Sequence, residues 1–508
     1  MKRKFKKNKD FNINQKSFYF EDYLETNIEH KNRTKSSISQ DRIYILFFFF
    51  FCLISIYCIK ILFVSFQAPQ FLELENNRIN FLPLRRDIVD RNGTLISRNI
   101  QAYHAAIKPW LVKDKKKFLL NIKVNFPKIS QINLKKKLKQ NKYFYLKKRL
   151  SQDEKNKLWA LGQKGLVFEE YQARIYPQGD LYSHILGQID IDNYGISGIE
   201  KSLDNELIDL TKINKPLKLS LDTNIQYLIK KELEKSVKDF KTKGAASLLI
   251  DSRTGEIISL ISLPDYNINL RKDINQDIYT NKITKGLYEL GSVFKTLTVA
   301  LAFEENLFEP ESIVENITKK IRCSKYVISD IHEFPKKMKV EDILIQSSNI
   351  GAVHIARKIG EDKYKNFLNK TKLLETPKLE LDEVSSPLKL KWNKCKLETV
   401  SYGHGIMTSP LQMASAYSAI TNGGYYINPT LRINNNNQNK KIQIISANTS
   451  KKINKILRKV VVDKKGTASL ANIFGYEVGG KTGTAQNYQN KKENINTFVS
   501  IFPTSEPR

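Results

Sequence analysis

Ser292-Val293-Phe294-Lys295, Ser347-Ser348-Asn349 and Lys481-Thr482-Gly483-Thr484 stand in that order along a chain of 508 residues. Together they supply what serine acyl transfer needs when no histidine is used: a hydroxyl nucleophile, an amine base, a proton relay and an anion-binding strand. Each piece alone is weak. Ser-x-x-Lys recurs at Ser386-Pro387-Leu388-Lys389, and Ser-x-Asn recurs at Ser97-Arg98-Asn99 and Ser446-Ala447-Asn448. An isolated Ser-x-x-Lys is an ordinary exposed helix pair, and Ser-Ser-Asn is an ordinary helix cap. The ordered trio carries the signal.

Each role makes a physical demand. Gly291-Ser292 opens an apolar helix containing Phe294, Leu297, Val299 and Leu301, so Ser292 falls in a first turn with free backbone N–H groups and the positive end of the helix dipole. Lys295 lies one turn on, within reach of the hydroxyl. To act as base its amine must be neutral near pH 7, against an ordinary pKa of about 10.4. Burial and a neighbouring cation, Lys481, both push that way. Ser347 then shuttles a proton to the leaving amine, and Asn349 hydrogen-bonds substrate and Lys295. Lys481, Thr482 and Thr484 hold a substrate carboxylate, while Gly483 lets the acyl chain lie against the strand. Backbone donors of Ser292 and Thr484 form an oxyanion hole, worth about 2.7–4 kcal/mol per donor.

The elements that must position these groups read as an α+β arrangement, with strands before and after a helical insert. Arg85 to Leu95 is an alternating strand closed by the Asn92-Gly93 turn, and helical periodicity covers Leu146–Leu161. Leu72–Lys215 forms one non-catalytic domain. A second domain opens near Pro216 with a helix capped by Asp222 or Thr223, Gln226 supplying the capping-box acceptor and Ile225, Leu228, Ile229, Leu233 and Val237 the apolar face. Ala245–Ile250 and Glu256–Leu263 flank a turn and form a hairpin. A helix-rich stretch runs from Ser292 to about Ile420. Ser347–Asn349 lies between the helical stretches Val340–Ile345 and Ile350–Ile359, and Gly479–Thr484 reads as a strand built for close backbone approach.

Residues Ile43–Phe66 form the one membrane-competent segment, interrupted only by Lys60, which can snorkel. Met1–Arg42 holds eleven Lys/Arg against six Asp/Glu, a net of +5. The positive-inside rule keeps residues 1–42 cytoplasmic and exports everything beyond Phe66. Ser65-Phe66-Gln67-Ala68 lacks a small-x-small cleavage pattern, which favours an uncleaved anchor in the 43–66 segment. Cys52 and Cys58 lie inside it. Cys323 and Cys395 lie outside; one disulfide or two unpaired thiols both fit. The formal charge of +32 raises nucleic acid as a partner. Short lysine clusters mixed with Ile and Asn, on an exported domain, read instead as solvated faces with attraction to anionic headgroups or wall polymer. The six histidines show no ligand spacing, so neither a metal nor a cofactor is expected.

From the anchor onward, the chain resembles a class B penicillin-binding protein, a membrane-anchored peptidoglycan D,D-transpeptidase. Beyond the trio, Arg86 through Gly93 is similar to that family's R-G-x-I-x-D-R-x-G strand, with Asp87 at the usual glycine. Tyr176-Pro177 through Glu200-Lys201, Leu219–Asp222 and Asp251–Gly255 resemble its linking segments, and Ser401-Tyr402-Gly403-His404-Gly405 to Pro410-Leu411-Gln412 matches S-x-G-x-G-x-x-x-x-P-x-Q. The resemblance implies a pedestal over 67–215 with mixed α/β structure and a transpeptidase domain over 216–508 with an antiparallel sheet flanked by helices. It implies that Ser292 attacks the penultimate D-alanine carbonyl of a stem pentapeptide, that an amino group of a neighbouring stem peptide resolves the acyl-enzyme, and that β-lactams acylate the same serine. The short pedestal, the single-pass anchor and Tyr288–Ser292 resemble the septal, division-specific branch, although Leu290 stands where many relatives carry proline. By analogy a septal polymerase of the lipid-linked precursor is a partner, together with other division proteins.

The resemblance also implies a central strand after Asn494–Phe502 and a covering C-terminal helix, neither present by Arg508. The expectation is a truncated piece of a longer protein. A polypeptide ending at Arg508 would misfold or be inactive, since unpaired buried backbone groups cost about 1–3 kcal/mol each. Rival readings are an elongation-type transpeptidase, a D,D-carboxypeptidase or penicillin-hydrolysing enzyme of the same chemistry, and a catalytically inactive scaffold of the division machinery.

Overall fold

A computed structural model describes residues 44–63, 84–270, 276–324, 326–433, 441–486 and 493–508. The tail over 1–42, the ends of the expected anchor and the connector Gln67–Asn80 lie outside the described residues. The chain divides into two units, Met1–Phe81 and Leu82–Arg508. In the first, helix α1 (Tyr44–Phe63) has 20 residues and a mean hydropathy of 2.6, long and apolar enough to cross a membrane.

The second unit begins with a mixed sheet. Strand β1 (Ile88–Val89) pairs antiparallel with β2 (Leu95–Ile107) and parallel with β5 (Leu217–Lys218). Strand β2 also pairs with β3 (Phe144–Leu150) and β4 (Leu166–Ile175). Asp90 makes the β1–β2 turn: its Oδ1 accepts from the backbone of Asn92 and Thr94. The expected helix over Leu146–Leu161 is in fact β3 followed by a helix at Gln152–Trp159. The reason is local, since Ser151 and Glu154 form a capping box that starts the helix only at residue 152. Phe118, Ile122, Leu134, Leu138 and Leu158 close a small core over this sheet.

A buried ion cluster ties this region together. The Glu200 carboxylate accepts from Arg85 Nε and Arg174 Nε, both at 2.8 Å, and all three side chains are fully buried. Burial alone would raise the Glu200 pKa, but Arg174 and Arg85 more than offset it and hold the group below the ordinary range.

Helix α2 (Thr223–Phe240) is capped by Asp222, which accepts from the N–H groups of Asn224 and Ile225. Its buried residues are Thr223, Gln226 and Lys230, whereas Leu228 of the expected apolar face is exposed. Polar contacts decide this orientation. Gln226 completes no capping box; its amide bonds Leu181 O, Leu260 O and Leu260 N. Lys230 pairs with Asp180 and Asp265 at 2.6 Å each.

Strands β6 (Ala245–Ile250) and β7 (Ile257–Leu263) form the expected hairpin. The main apolar core surrounds α3 (Phe294–Glu304) and includes Leu297, Ile343, Ile350, Tyr417, Ile453 and Leu457. The stretch expected to be helix-rich also contains two small ladders. One is β8 (Ile313–Val314) with β11 (Met338–Lys339); nested within it is the hairpin of β9 (Lys320–Cys323) and β10 (Tyr326–Ser329). Helices α4 (Val340–Ile345), α5 (Asn349–Ile359), α6 (Lys396–Ser401) and α7 (Pro410–Thr421) follow. After the short ladder of β12 (Tyr425–Tyr426) and β13 (Ile442–Gln443) comes α8 (Ala447–Val462). Strands β14 (Gly479–Gln486) and β15 (Asn494–Ile501) pair in unbroken antiparallel register. Among the described residues, β6–β7 and β14–β15 are separate two-stranded ladders.

Candidate active site

Ser292 sits in the single 3-10 turn Gly291–Val293 that leads into α3. Two contacts fix this turn. The buried Tyr417 hydroxyl, from α7, donates to Val293 O at 2.7 Å and bonds Thr296 Oγ1 at 2.8 Å. Gly291, at φ +64°, lies so close to β14 that a Cβ there would be 2.6 Å from Thr484 O. From the other side Gly403, at φ +82°, rests on Gly291, where a Cβ would be 2.0 Å from Gly291 O. The nucleophile's turn is thus held between the β14 backbone and the loop after α6.

Lys295 emerges from the first turn of α3 and is fully buried, as is Lys481 on β14. Both amines converge on Ser347. Lys295 Nζ donates to Ser347 O at 2.5 Å and to Ser347 Oγ at 3.1 Å. Lys481 Nζ donates to the same Oγ at 2.9 Å and to Thr482 O at 3.0 Å. Burial is the larger force on Lys295 and the neighbouring Lys481 charge the second; together they hold its pKa well below 10.5, with Asp330 pulling weakly the other way. Burial pushes Lys481 down to about 7. Two amines sharing one acceptor in a dry pocket cannot both stay protonated, so a free base is available near neutrality. The hydrogen bonds of Lys295 go to Ser347 rather than Ser292 Oγ, as is common before substrate tightens a site.

Ser347 adopts a left-handed backbone at φ +64°. The next residue caps α5: Ser348 Oγ accepts from Gly351 N at 3.0 Å. The Asn349 Nδ2 donates to Ser329 O at 2.8 Å. Alternation along β14 separates the remaining candidates. Lys481 and Gly483 face inward, and a Cβ on Gly483 would be 2.3 Å from Leu290 O and 3.4 Å from Ser292 N. Thr482 and Thr484 face the other way, their hydroxyls reaching Thr467 Oγ1 at 2.9 Å and Asn496 Oδ1 at 3.3 Å.

Two features of the site had no sequence signal, and a third stood open between two readings. Tyr417 is one. Asp330, at the end of the β9–β10 hairpin, is another: its carboxylate accepts from Ser348 Oγ at 2.7 Å and from Asn349 N. The third is the disulfide between Cys323 and Cys395, with Cα atoms 5.8 Å apart across 72 residues of sequence. At the rim, Glu289 Oε2 pairs with His404 Nδ1 at 3.1 Å, and Glu289 Oε1 accepts from Gly405 N at 3.0 Å.

The site gathers two buried lysines around one serine hydroxyl, and similarity to known proteins defines the family. Residues 245–508 match the penicillin binding protein transpeptidase domain, and residues 81–211 match the penicillin-binding protein dimerisation domain. The chain is 30% identical over 433 residues to the probable peptidoglycan D,D-transpeptidase FtsI of Caulobacter vibrioides, covering 83% of this chain and 73% of that protein. It is 29% identical over 469 residues to the peptidoglycan D,D-transpeptidase FtsI of Buchnera aphidicola, covering 83% and 80%. It is 25% identical over 405 residues to the Escherichia coli FtsI, covering 73% and 67%. The chain belongs to the penicillin-binding protein transpeptidases. Within them it is a class B protein of the septal branch.

Proposed function

We propose that this protein cross-links peptidoglycan stem peptides during septal wall synthesis through an acyl-enzyme on Ser292. The observation that carries the reading is the meeting of two buried amines at Ser347 Oγ, one of them from Lys295, which follows Ser292 by one helical turn along the chain. In the first step neutral Lys295 takes the Ser292 proton as Oγ attacks the penultimate D-alanine carbonyl. The amide C–N bond breaks, Ser347 passes the proton to the departing D-alanine amine, and an ester to Ser292 remains. In the second step the amine of a neighbouring stem peptide attacks that ester, its proton returns through the same groups to Ser292, and the cross-link is released. The N–H groups of Ser292 and Thr484 stabilise the oxyanion in both steps. Thr482 and Thr484 hold the substrate carboxylate on the open face of β14 while Lys481 supplies positive charge from the buried face, Gly483 lets the acyl chain lie against the strand, and Asn349 orients the stem peptide.

The same serine accepts β-lactams. Labelling the full chain with a fluorescent penicillin, followed by peptide mass mapping, tests this assignment. Label on Ser292 that disappears in Ser292→Ala supports it; label elsewhere, or none on folded protein, refutes it. An adduct that persists for minutes separates a transpeptidase from a penicillin hydrolase.

The wider reading places the tail in the cytoplasm, α1 in the cytoplasmic membrane, a pedestal over 67–215 and the catalytic domain over 216–508 outside, beside a polymerase of the lipid-linked precursor. The basic bias of Met1–Arg42 supports the orientation.

A further inference from the structure

The Ser347–Asn349 turn presents the hydroxyl that both lysines share, yet its own conformation is unfavourable. A left-handed backbone is strained at a non-glycine residue and persists only where the surroundings over-determine it. One side chain meets this turn three times. Asp330, 6% exposed, takes the Ser348 hydroxyl at 2.7 Å on Oδ2, and on Oδ1 it takes the Asn349 N–H and, at 3.4 Å, the Ile350 N–H. These are the first N–H groups of α5, which otherwise lack partners, and a carboxylate is their strongest acceptor. Ser329, next to Asp330, receives the Asn349 amide at 2.8 Å.

The hairpin that carries Asp330 is anchored in turn. Cys323 of β9 is bonded to Cys395, immediately before α6, and these cysteines pack with Ile328 of β10 and Val353 of α5. α6 leads into Tyr402-Gly403, the loop that rests on Gly291. The relay's support and the loop beneath the nucleophile are therefore joined covalently.

We infer that Asp330 is a positioning residue for acyl transfer: on a hairpin stapled by Cys323–Cys395, it locks the Ser347–Asn349 turn so that Ser347 Oγ stands between Lys295 and Lys481. This rests on Ser292 being the nucleophile. The charged groups facing Lys295 are Lys481 from β14 and Asp330 from the hairpin. Asp330 thus has a second effect, raising the basicity of Lys295.

The test measures the second-order rate of Ser292 acylation by a fluorescent penicillin, on the full chain in detergent, across pH. Asp330→Asn keeps the shape but weakens the acceptor. It is expected to acylate on the order of 100-fold more slowly, as a misplacement of about 1 Å does, while melting close to wild type. Its acidic limb should move to lower pH, because Lys295 loses the one anion that supports its proton. Asp330→Glu should recover part of the rate. Should Asp330→Asn fail to fold, Ser348→Ala removes the 2.7 Å bond from the other side and carries the same expectation of slower acylation. The joint variant Cys323→Ser, Cys395→Ser should be slowed less than Asp330→Asn. A folded Asp330→Asn protein with wild-type rate and wild-type pH limb overturns the inference, and an unslowed cysteine variant overturns the staple's part in it. Wild type that takes no label on Ser292 defeats the acyl-enzyme reading itself, and this inference with it.

Discussion

Lys295 and Lys481 meet at a single oxygen: their amines lie 3.1 and 2.9 Å from Ser347 Oγ, and both side chains are fully buried. Neither lysine has a carboxylate at hydrogen-bond distance there, so the pocket lowers both pKa values instead of locking in two charges.

The pH dependence follows with a definite sign. Acylation requires neutral Lys295, whose pKa lies well below 10.5. The rate with penicillin should rise with pH along a limb well below that of an ordinary lysine. A limb near that of an ordinary lysine would sink the assignment. Stability moves the same way. In the unfolded chain these amines bind protons up to about 10.4, whereas in the folded chain they release them earlier, so stability rises as pH climbs above about 7. Lys481→Met should flatten that rise in melting temperature relative to wild type.

Lys295→Arg separates charge from basicity. Arginine retains a cation but cannot deprotonate in this range. Loss of the general base is worth roughly 10²–10⁴-fold, and the acylation rate should fall by that order with no recovery on raising the pH to 9.

Ser347 combines a hydroxyl with a strained backbone, and two substitutions distinguish them. Ser347→Ala and Ser347→Gly both remove the relay and should slow acylation by a similar factor, on the order of 10²-fold or more. Glycine alone tolerates φ +64° without penalty, so its variant should unfold at higher denaturant than the alanine variant, by about 1 kcal/mol.

Glu200→Gln tests the buried cluster outside the catalytic site. It leaves the buried guanidinium of Arg174 without its anion and leaves that of Arg85 with Asp204 alone. A loss of roughly 3–5 kcal/mol is expected, read as an early thermal transition, while the folded fraction at low temperature still labels at Ser292.

The candidate residues were legible because their types and order are unusual for any structural role, and Lys295, Ser347 and Lys481 do meet in the fold. What holds them was not legible. Asp330 reaches Ser348 across 18 residues of chain through a hairpin with no distinctive spacing, and Tyr417 reads as one more apolar position of α7. The Cys323–Cys395 pair stayed open because pairing depends on a fold that brings residues 72 apart together. Local patterns misled where polar contacts overrode them. Periodicity named Leu228 as a buried position of α2, but Gln226 and Lys230 are the ones drawn inward by strand carbonyls and aspartates. The facing of β14 was similarly hidden, since two-residue alternation sends Lys481 to the buried face and both threonine hydroxyls to the more exposed one.

Gly291 and Gly403 touch backbone to backbone beneath Ser292, with no side chain between them. The floor under the nucleophile therefore has no part that can be exchanged for a smaller or larger one. Escape from β-lactams by mutation, with the natural reaction kept, is directed to the rim. There Glu289, Tyr402 and His404 offer side chains that selection can replace one at a time.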